Sequence, residues 1–210
     1  MIKIYPMPLG DYQANCYILS VGEHALIVDP GDEANRIITY LAMNGLKPEA
    51  ILLTHGHFDH IGALEAMIKQ YQIPVYAHVA EKEYFTNVDY NLSLMAGRER
   101  IELTDLSTFN FIEQDGVIEV MNLPIEVRHV PGHSLGSVAF YFAEDGVVIS
   151  GDALFNGSIG RTDLVGGNHD QLINSIKTKL FTLADTTVVY SGHGPATTIG
   201  DEKATNPFFM

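Results

Sequence analysis

Short apolar runs bounded by turn residues alternate with stretches of helical periodicity along most of the chain. Residues 1–5 and 16–21 read as strands, and after a turn at Glu23-His24 residues 25–29 read as a third. Asp29-Pro30-Gly31-Asp32 breaks that strand, and Ala34, Ile37, Ile38 and Leu41 then recur at helical spacing until Gly45. Residues 51–53 form a buried strand ending in a polar cluster, 54–60, and Ile61, Leu64, Ile68 and Tyr71 mark the next helix. Residues 74–77 are strand-like, and 80–85 make one or two helical turns. The stretch 86–116, with Gly97 and the charged run Arg98-Glu99-Arg100, is the least regular and reads as an insert over the site face. Four strands follow, at 117–121, 125–130, 137–142 and 147–150, then a glycine-rich loop. Leu172, Ile173, Ile176 and Leu180 predict a long helix, 188–191 the last strand, and 198–204 a short tail helix stopped before Asn206-Pro207. The pattern predicts one α/β domain over 1–210, with polar loops directly after buried strands, where open α/β architectures place their chemistry.

Composition narrows the classes. With 46% hydrophobic and 18% charged residues over 210 positions, the chain is globular rather than disordered. No apolar run approaches the roughly 18 residues of a membrane span, and the N-terminus lacks a signal-peptide core. Cys16 is the single cysteine, so no internal disulfide forms, and the expected compartment is the cytoplasm. A net charge of −14 argues against a nucleic-acid partner, which needs a basic face.

The chemistry concentrates in Thr54-His55-Gly56-His57-Phe58-Asp59-His60. Three histidines and an aspartate within six positions would arise by chance in roughly one such chain in a thousand. Imidazole and carboxylate suit zinc, iron and manganese. In an extended loop His55 and His57 point one way while Asp59 and His60 turn towards a second point, so one segment can serve two metals. Capping of a following helix by Asp59 would account for none of the histidines. Pro131-Gly132-His133, Gly151-Asp152 and Gly192-His193-Gly194 repeat the theme, each at a strand end. Five histidines and two aspartates suffice for two metals sharing a carboxylate, with an open coordination position.

This order and spacing resemble the metallo-β-lactamase superfamily across nearly the whole chain. Gly151-Asp152-Ala153-Leu154-Phe155, Gly160-Arg161-Thr162-Asp163, Gly192-His193-Gly194-Pro195, Thr197-Thr198-Ile199-Gly200 and Asn206-Pro207-Phe208 are similar to the short glyoxalase II-like, or hydroxyacylglutathione hydrolase-like, members. The resemblance implies a four-layer αβ/βα sandwich of two mixed sheets flanked by helices. It implies two divalent metal ions, zinc with iron or manganese as alternatives. His55, His57 and His133 would hold the first metal, Asp59, His60 and His193 the second, and Asp152 would bridge them. A metal-bridging hydroxide, formed because coordination lowers the pKa of water to about 7, would then cleave a small-molecule thioester such as S-D-lactoylglutathione. Asp59 would also orient that hydroxide as the catalytic residue.

Full-length glyoxalase II enzymes add a C-terminal helical glutathione-binding domain, which this chain is expected to lack. They also place a Lys and a Tyr where Arg161 and Asp163 stand here. Arg161, Asn156 and Thr162 are the candidate substrate-binding residues, with a structural ion pair as the alternative for Arg161. The rival activities are a mononuclear Fe(II) persulfide dioxygenase using His55, His133 and Asp152, a lactonase or β-lactamase, an RNase Z-type nuclease, and a non-catalytic module on the same fold. Cys16 reads as a core thiol, His24 as a turn residue, and His78, His129 and His169 as core or surface. Asp29 is either a support for a metal ligand or a turn former, and Tyr90-Asn91 a lid.

Overall fold

In the computed structural model, which describes residues 1–97 and 99–210, the strands pair into two large mixed sheets. One belongs to a unit spanning Met1–Ile112, the other to a unit spanning Glu113–Met210. Arg98, part of the charged run noted above, lies outside the described residues.

In the first unit the sheet runs in chain order: β1 (Lys3–Leu9), β2 (Ala14–Val21), β3 (His24–Val28), β4 (Lys47–Leu52), β5 (Val75–His78) and β6 (Phe109–Ile112). β1, β2 and β3 pair antiparallel, and β3 to β6 pair parallel. Parallel neighbours need a crossover, supplied between β3 and β4 by α1 (Ala34–Met43). Between β4 and β5 it is supplied by α2 (Phe58–Ile61) and α3 (Leu64–Tyr71). The helices bury Ile37, Leu41, Leu64 and Met67 in one core with Ile18, Ile27, Ile51 and Val75. Each such side chain contributes about 1.5–3 kcal/mol on burial.

Three features differ from the pattern-based reading. β1 continues through Pro6 and Pro8, opposite Tyr17 and Asn15, because an edge strand tolerates residues without an N–H. The helix expected from Ile61 to Tyr71 is split, since the loop after β3 reaches over it and Pro30 O accepts the Ala63 N–H at 2.9 Å. The stretch 86–116 holds a helical turn, α5 (Val88–Asn91), and the strand β6, whose Phe109 and Phe111 pack on the core. Between β5 and α5 the chain makes a 3-10 turn, Val79–Glu81, and a short helix, α4 (Lys82–Thr86).

The second unit carries β7 (Gly116–Val120), β8 (Leu123–His129), β9 (Val138–Phe142), β10 (Val147–Gly151), β13 (Val188–Ser191) and β14 (Thr197–Thr198), in the order β14-β13-β10-β9-β8-β7. Only the β10–β13 pair in this sheet is parallel. A separate hairpin joins β11 (Leu154–Phe155) to β12 (Ser158–Ile159). α6 (His169–Ser175) starts at Asn168, whose side chain accepts the Gln171 N–H at 3.0 Å, a cap typical of asparagine. It runs into a π-helical turn, Ile176–Leu180, where a continuous α-helix was expected. Leu172, Ile176 and Leu180 pack with Val130, Ala139, Val148 and Val189. In α7 (Ile199–Thr205) Glu202 is buried. It accepts the Thr197 hydroxyl at 2.6 Å, the Gly157 N–H at 3.0 Å and the Asn206 amide at 2.7 Å, clasping the hairpin to the tail.

Candidate metal centre

In the first unit the histidine-rich loop leaves the C-terminal end of β4, beside the end of its parallel neighbour β3. That adjacency brings Asp29 to Thr54. Asp29 is buried, with its backbone in the left-handed region (φ 49°), where aspartate is better tolerated than most residues. It accepts the Thr54 N–H at 2.8 Å, the Thr54 hydroxyl at 2.6 Å and His60 Nδ1–H at 3.1 Å. Of the two readings of Asp29, support for a ligand is the one its contacts match. The carboxylate fixes both ends of the loop, and by holding the proton on Nδ1 it leaves a lone pair on His60 Nε2. That nitrogen faces Asp59 Oδ2 at 3.9 Å.

The His55 and His57 rings lie 4.8 Å apart and nearly perpendicular, and His55 and His60 are 4.2 Å apart. His55 Nδ1 meets the Thr54 hydroxyl at 3.0 Å. Ligand atoms of Asp29, His55 and His60 all lie within 4.8 Å of one another. The Nε2 atoms of His55, His57 and His60 are sealed from solvent, whereas the Asp59 side chain is 15% exposed. The unit thus gathers His55, His57, Asp59 and His60, with the aspartate as the accessible member.

The second unit gathers His133, Asp152 and His193. His133 sits in the turn after β8, which is closed by a 2.7 Å bond from the Val130 N–H to Ser137 O. Asp152 and His193 follow the parallel strands β10 and β13, tied by the Gly192 N–H to Gly151 O at 2.8 Å. His133 Nδ1–H donates to Arg161 O at 2.8 Å, so its Nε2 carries the lone pair. This Nε2 faces Asp152 Oδ2 at 3.5 Å, and His193 Nε2 faces the same oxygen at 3.6 Å. A lone-pair nitrogen opposite a carboxylate oxygen is repulsive unless a cation lies between them. The donor set in both units therefore fits divalent metal ions. Gly160 is part of the construction, because a Cβ there would fall 1.8 Å from Asp152 O and 3.0 Å from His133 Nδ1.

The candidate substrate residues occupy other settings. The exposed Arg161 guanidinium forms a bidentate pair with Asp163, both bonds 2.8 Å, and holds that carboxyl down at about 2. Its backbone carbonyl, not its side chain, touches the metal-binding cluster. Asn156 is exposed, with its amide 3.3 Å from Ala196 O, and Thr162 is half-buried. Asn91 is fully buried and donates to Tyr84 O and Ile101 O, both at 2.8 Å, which makes it an internal clasp rather than a lid tip. His78 is buried and accepts the Ala80 N–H, His129 Nε2 donates to Leu135 O at 3.0 Å, and His169 is exposed. His24 opens β3 and pairs with Glu49. Sequence reasoning missed Glu81 and Tyr84. Glu81, fully buried, accepts the Gly56 N–H at 2.7 Å, and the Tyr84 ring lies 5.6 Å from that of His57. Glu81-Lys82-Glu83 has the composition of a solvated helix start, so no local signal marks the first of them.

Comparison with known proteins agrees with this chemistry. The Metallo-beta-lactamase superfamily model matches residues 9–193. A Bacillus subtilis protein named as a probable metallo-hydrolase, YqgX, is 47% identical over 202 residues, covering 96% of this chain and 95% of its own length. The Haemophilus influenzae hydroxyacylglutathione hydrolase GloC is 35% identical over 212 residues, covering 99% of this chain and 98% of its own. Among solved structures, the BLEG-1 B3 metallo-β-lactamase superposes with a TM-score of 0.94 at 42% identity, over 99% of this chain and 100% of that one. The di-iron-bound form of TTHA1623 gives 0.87 at 39%, over 97% and 99%. Among the described residues no helix is long and apolar enough to cross a membrane. On the family match over residues 9–193, and with buried histidine and aspartate clusters suited to divalent metals, the chain belongs to the metallo-β-lactamase superfamily.

Proposed function

We propose that the protein is a two-metal thioester hydrolase acting on a small-molecule substrate such as S-D-lactoylglutathione. The observation that carries this reading is the pair of imidazole Nε2 atoms, from His133 and His193, directed at one oxygen of Asp152, a donor set that would hold divalent metals. His55, His57 and His133 would hold one metal, and Asp59, His60 and His193 the other, with zinc or iron both suited to the donors. When bound, the metals supply Lewis acidity and a water acidic enough to react at neutral pH. The protein does the rest. Asp29 keeps His60 in the ligating tautomer, and Arg161 O does the same for His133. Asp59, the accessible carboxylate of its loop, would orient the attacking oxygen. With no cysteine or serine nucleophile needed, Cys16 stays in the core.

The thioester assignment is supported by GloC, which this chain matches along 98% of that relative's length. Thiol release from S-D-lactoylglutathione, by protein reconstituted separately with zinc and with iron, tests it, with Asp152→Ala as control. Turnover that disappears in the variant is the expected result; no turnover with either metal overturns it. The likeness to BLEG-1 favours a second reading, opening of a β-lactam ring, and a chromogenic cephalosporin assayed beside the thioester separates the two.

A further inference from the structure

The turn between His55 and His57 rests on a wall that no part of the reading above uses. Gly56 lies against the segment that follows β5. Its N–H donates to Glu81 Oε2 at 2.7 Å in a buried setting, and Glu81 itself is 0% exposed. A Cβ on Gly56 would fall 2.5 Å from Tyr84 Cβ and 3.2 Å from Glu81 Oε2, so backbone and wall are in direct apposition. The Tyr84 ring meets His57 edge-on at 5.6 Å and is backed by Tyr90 at 5.3 Å. Asn91 pins the wall from behind through Tyr84 O.

We propose that Glu81 is a positioning residue for the metal site. By holding the Gly56 N–H it sets the backbone plane from which His55 and His57 project, while Tyr84 limits the rotation of the His57 ring. The proposal rests on the assignment of His55 and His57 as ligands. A buried carboxylate is costly to desolvate, and hydrogen bonding to a peptide N–H offsets part of that cost. Glu81 is 25 residues from Gly56 in sequence, so the bond joins the loop to the segment that follows β5. The relevant property is the position of the accepting oxygen rather than the charge. Glutamine preserves that oxygen, whereas aspartate keeps the charge but withdraws the oxygen by one methylene.

The test is Co(II) binding to Glu81→Gln and Glu81→Asp, read by the visible absorption of the bound ion and by competition with a chelator. The melting temperature of the metal-free protein is measured in parallel. Leu26→Ala, a truncation in the buried part of β3, controls for lost stability alone. The expected result is a wild-type spectrum and affinity for Glu81→Gln, and for Glu81→Asp an altered spectrum with affinity down about 10–100-fold, as for other outer partners of metal ligands. Leu26→Ala melts earlier with an unchanged spectrum. The reverse order of the two Glu81 variants would make charge the operative property and overturn the proposal. Unchanged binding in both, or equal losses that simply follow melting temperature, would overturn it too. Failure of the wild-type protein to bind Co(II) would sink the ligand assignment itself. Normal binding without thioester turnover would sink only the substrate assignment.

Discussion

Replacing Asp29 with alanine removes the acceptor of three buried hydrogen bonds, from Thr54 N–H, the Thr54 hydroxyl and His60 Nδ1–H. The Thr54 hydroxyl oxygen already takes the His55 Nδ1–H at 3.0 Å, so that ring nitrogen cannot accept in return and all three donors are orphaned. Each orphan costs about 1–3 kcal/mol, and alanine in the left-handed backbone region adds about 1 kcal/mol. The sum is about 4–10 kcal/mol, and at about 2–4 °C per kcal/mol for a chain this size the metal-free protein melts about 8 °C or more below wild type. Asparagine tolerates the same backbone and keeps one accepting oxygen, so Asp29→Asn loses about half as much. Both variants free the His60 ring, so metal affinity falls about 10–100-fold. Circular-dichroism melts in chelator and metal content after dialysis read the two effects separately. An Asp29→Ala protein that melts within about 2 °C of wild type and keeps its metal would refute the clamp.

Three further outcomes follow from the geometry. Gly160→Ala places a methyl group 1.8 Å from Asp152 O, so it costs about 3 kcal/mol or more by denaturant unfolding, with loss of metal; an unaffected midpoint would mean the approach is not close. Arg161→Ala leaves KM for S-D-lactoylglutathione unchanged because Asp163 already occupies the guanidinium, and a rise of about tenfold would restore Arg161 as a substrate anchor. In the same variant the Asp163 carboxyl, held at about 2 chiefly by hydrogen bonds from Arg161, rises towards the ordinary carboxylate range by carbon NMR titration. A depressed carboxyl stabilises only above its unfolded pKa, so what this exposed pair contributes is lost as pH falls towards 2. Burial, with Asp29 nearby, pushes the Cys16 thiol up, so native protein resists alkylation at neutral pH and reacts only once unfolded; rapid native labelling would contradict the buried placement.

The sequence by itself determined what is written locally. The spacing within Thr54–His60 and the single His or Asp beside glycine on three later loops announced the family and its metal chemistry before any fold was known, because ligand types are chemical identities that folding does not alter. Strands such as β3 and β9 were legible for a similar reason, their apolar runs being long enough to carry a period. Tertiary structure decided whatever depends on a partner far along the chain. Asp29 and Glu81 each bond to a residue 25 positions away, and Glu202 reaches Gly157 across 45. In sequence they read as either a ligand support or a turn former, a solvated helix start and a tail. The split between α2 and α3 needs Pro30 to arrive from another strand, and β6 needs the edge of β5 to pair with. A hydrogen bond across such a separation leaves no periodicity in either segment, so only the folded chain reveals which acidic residues face water and which hold the site in place.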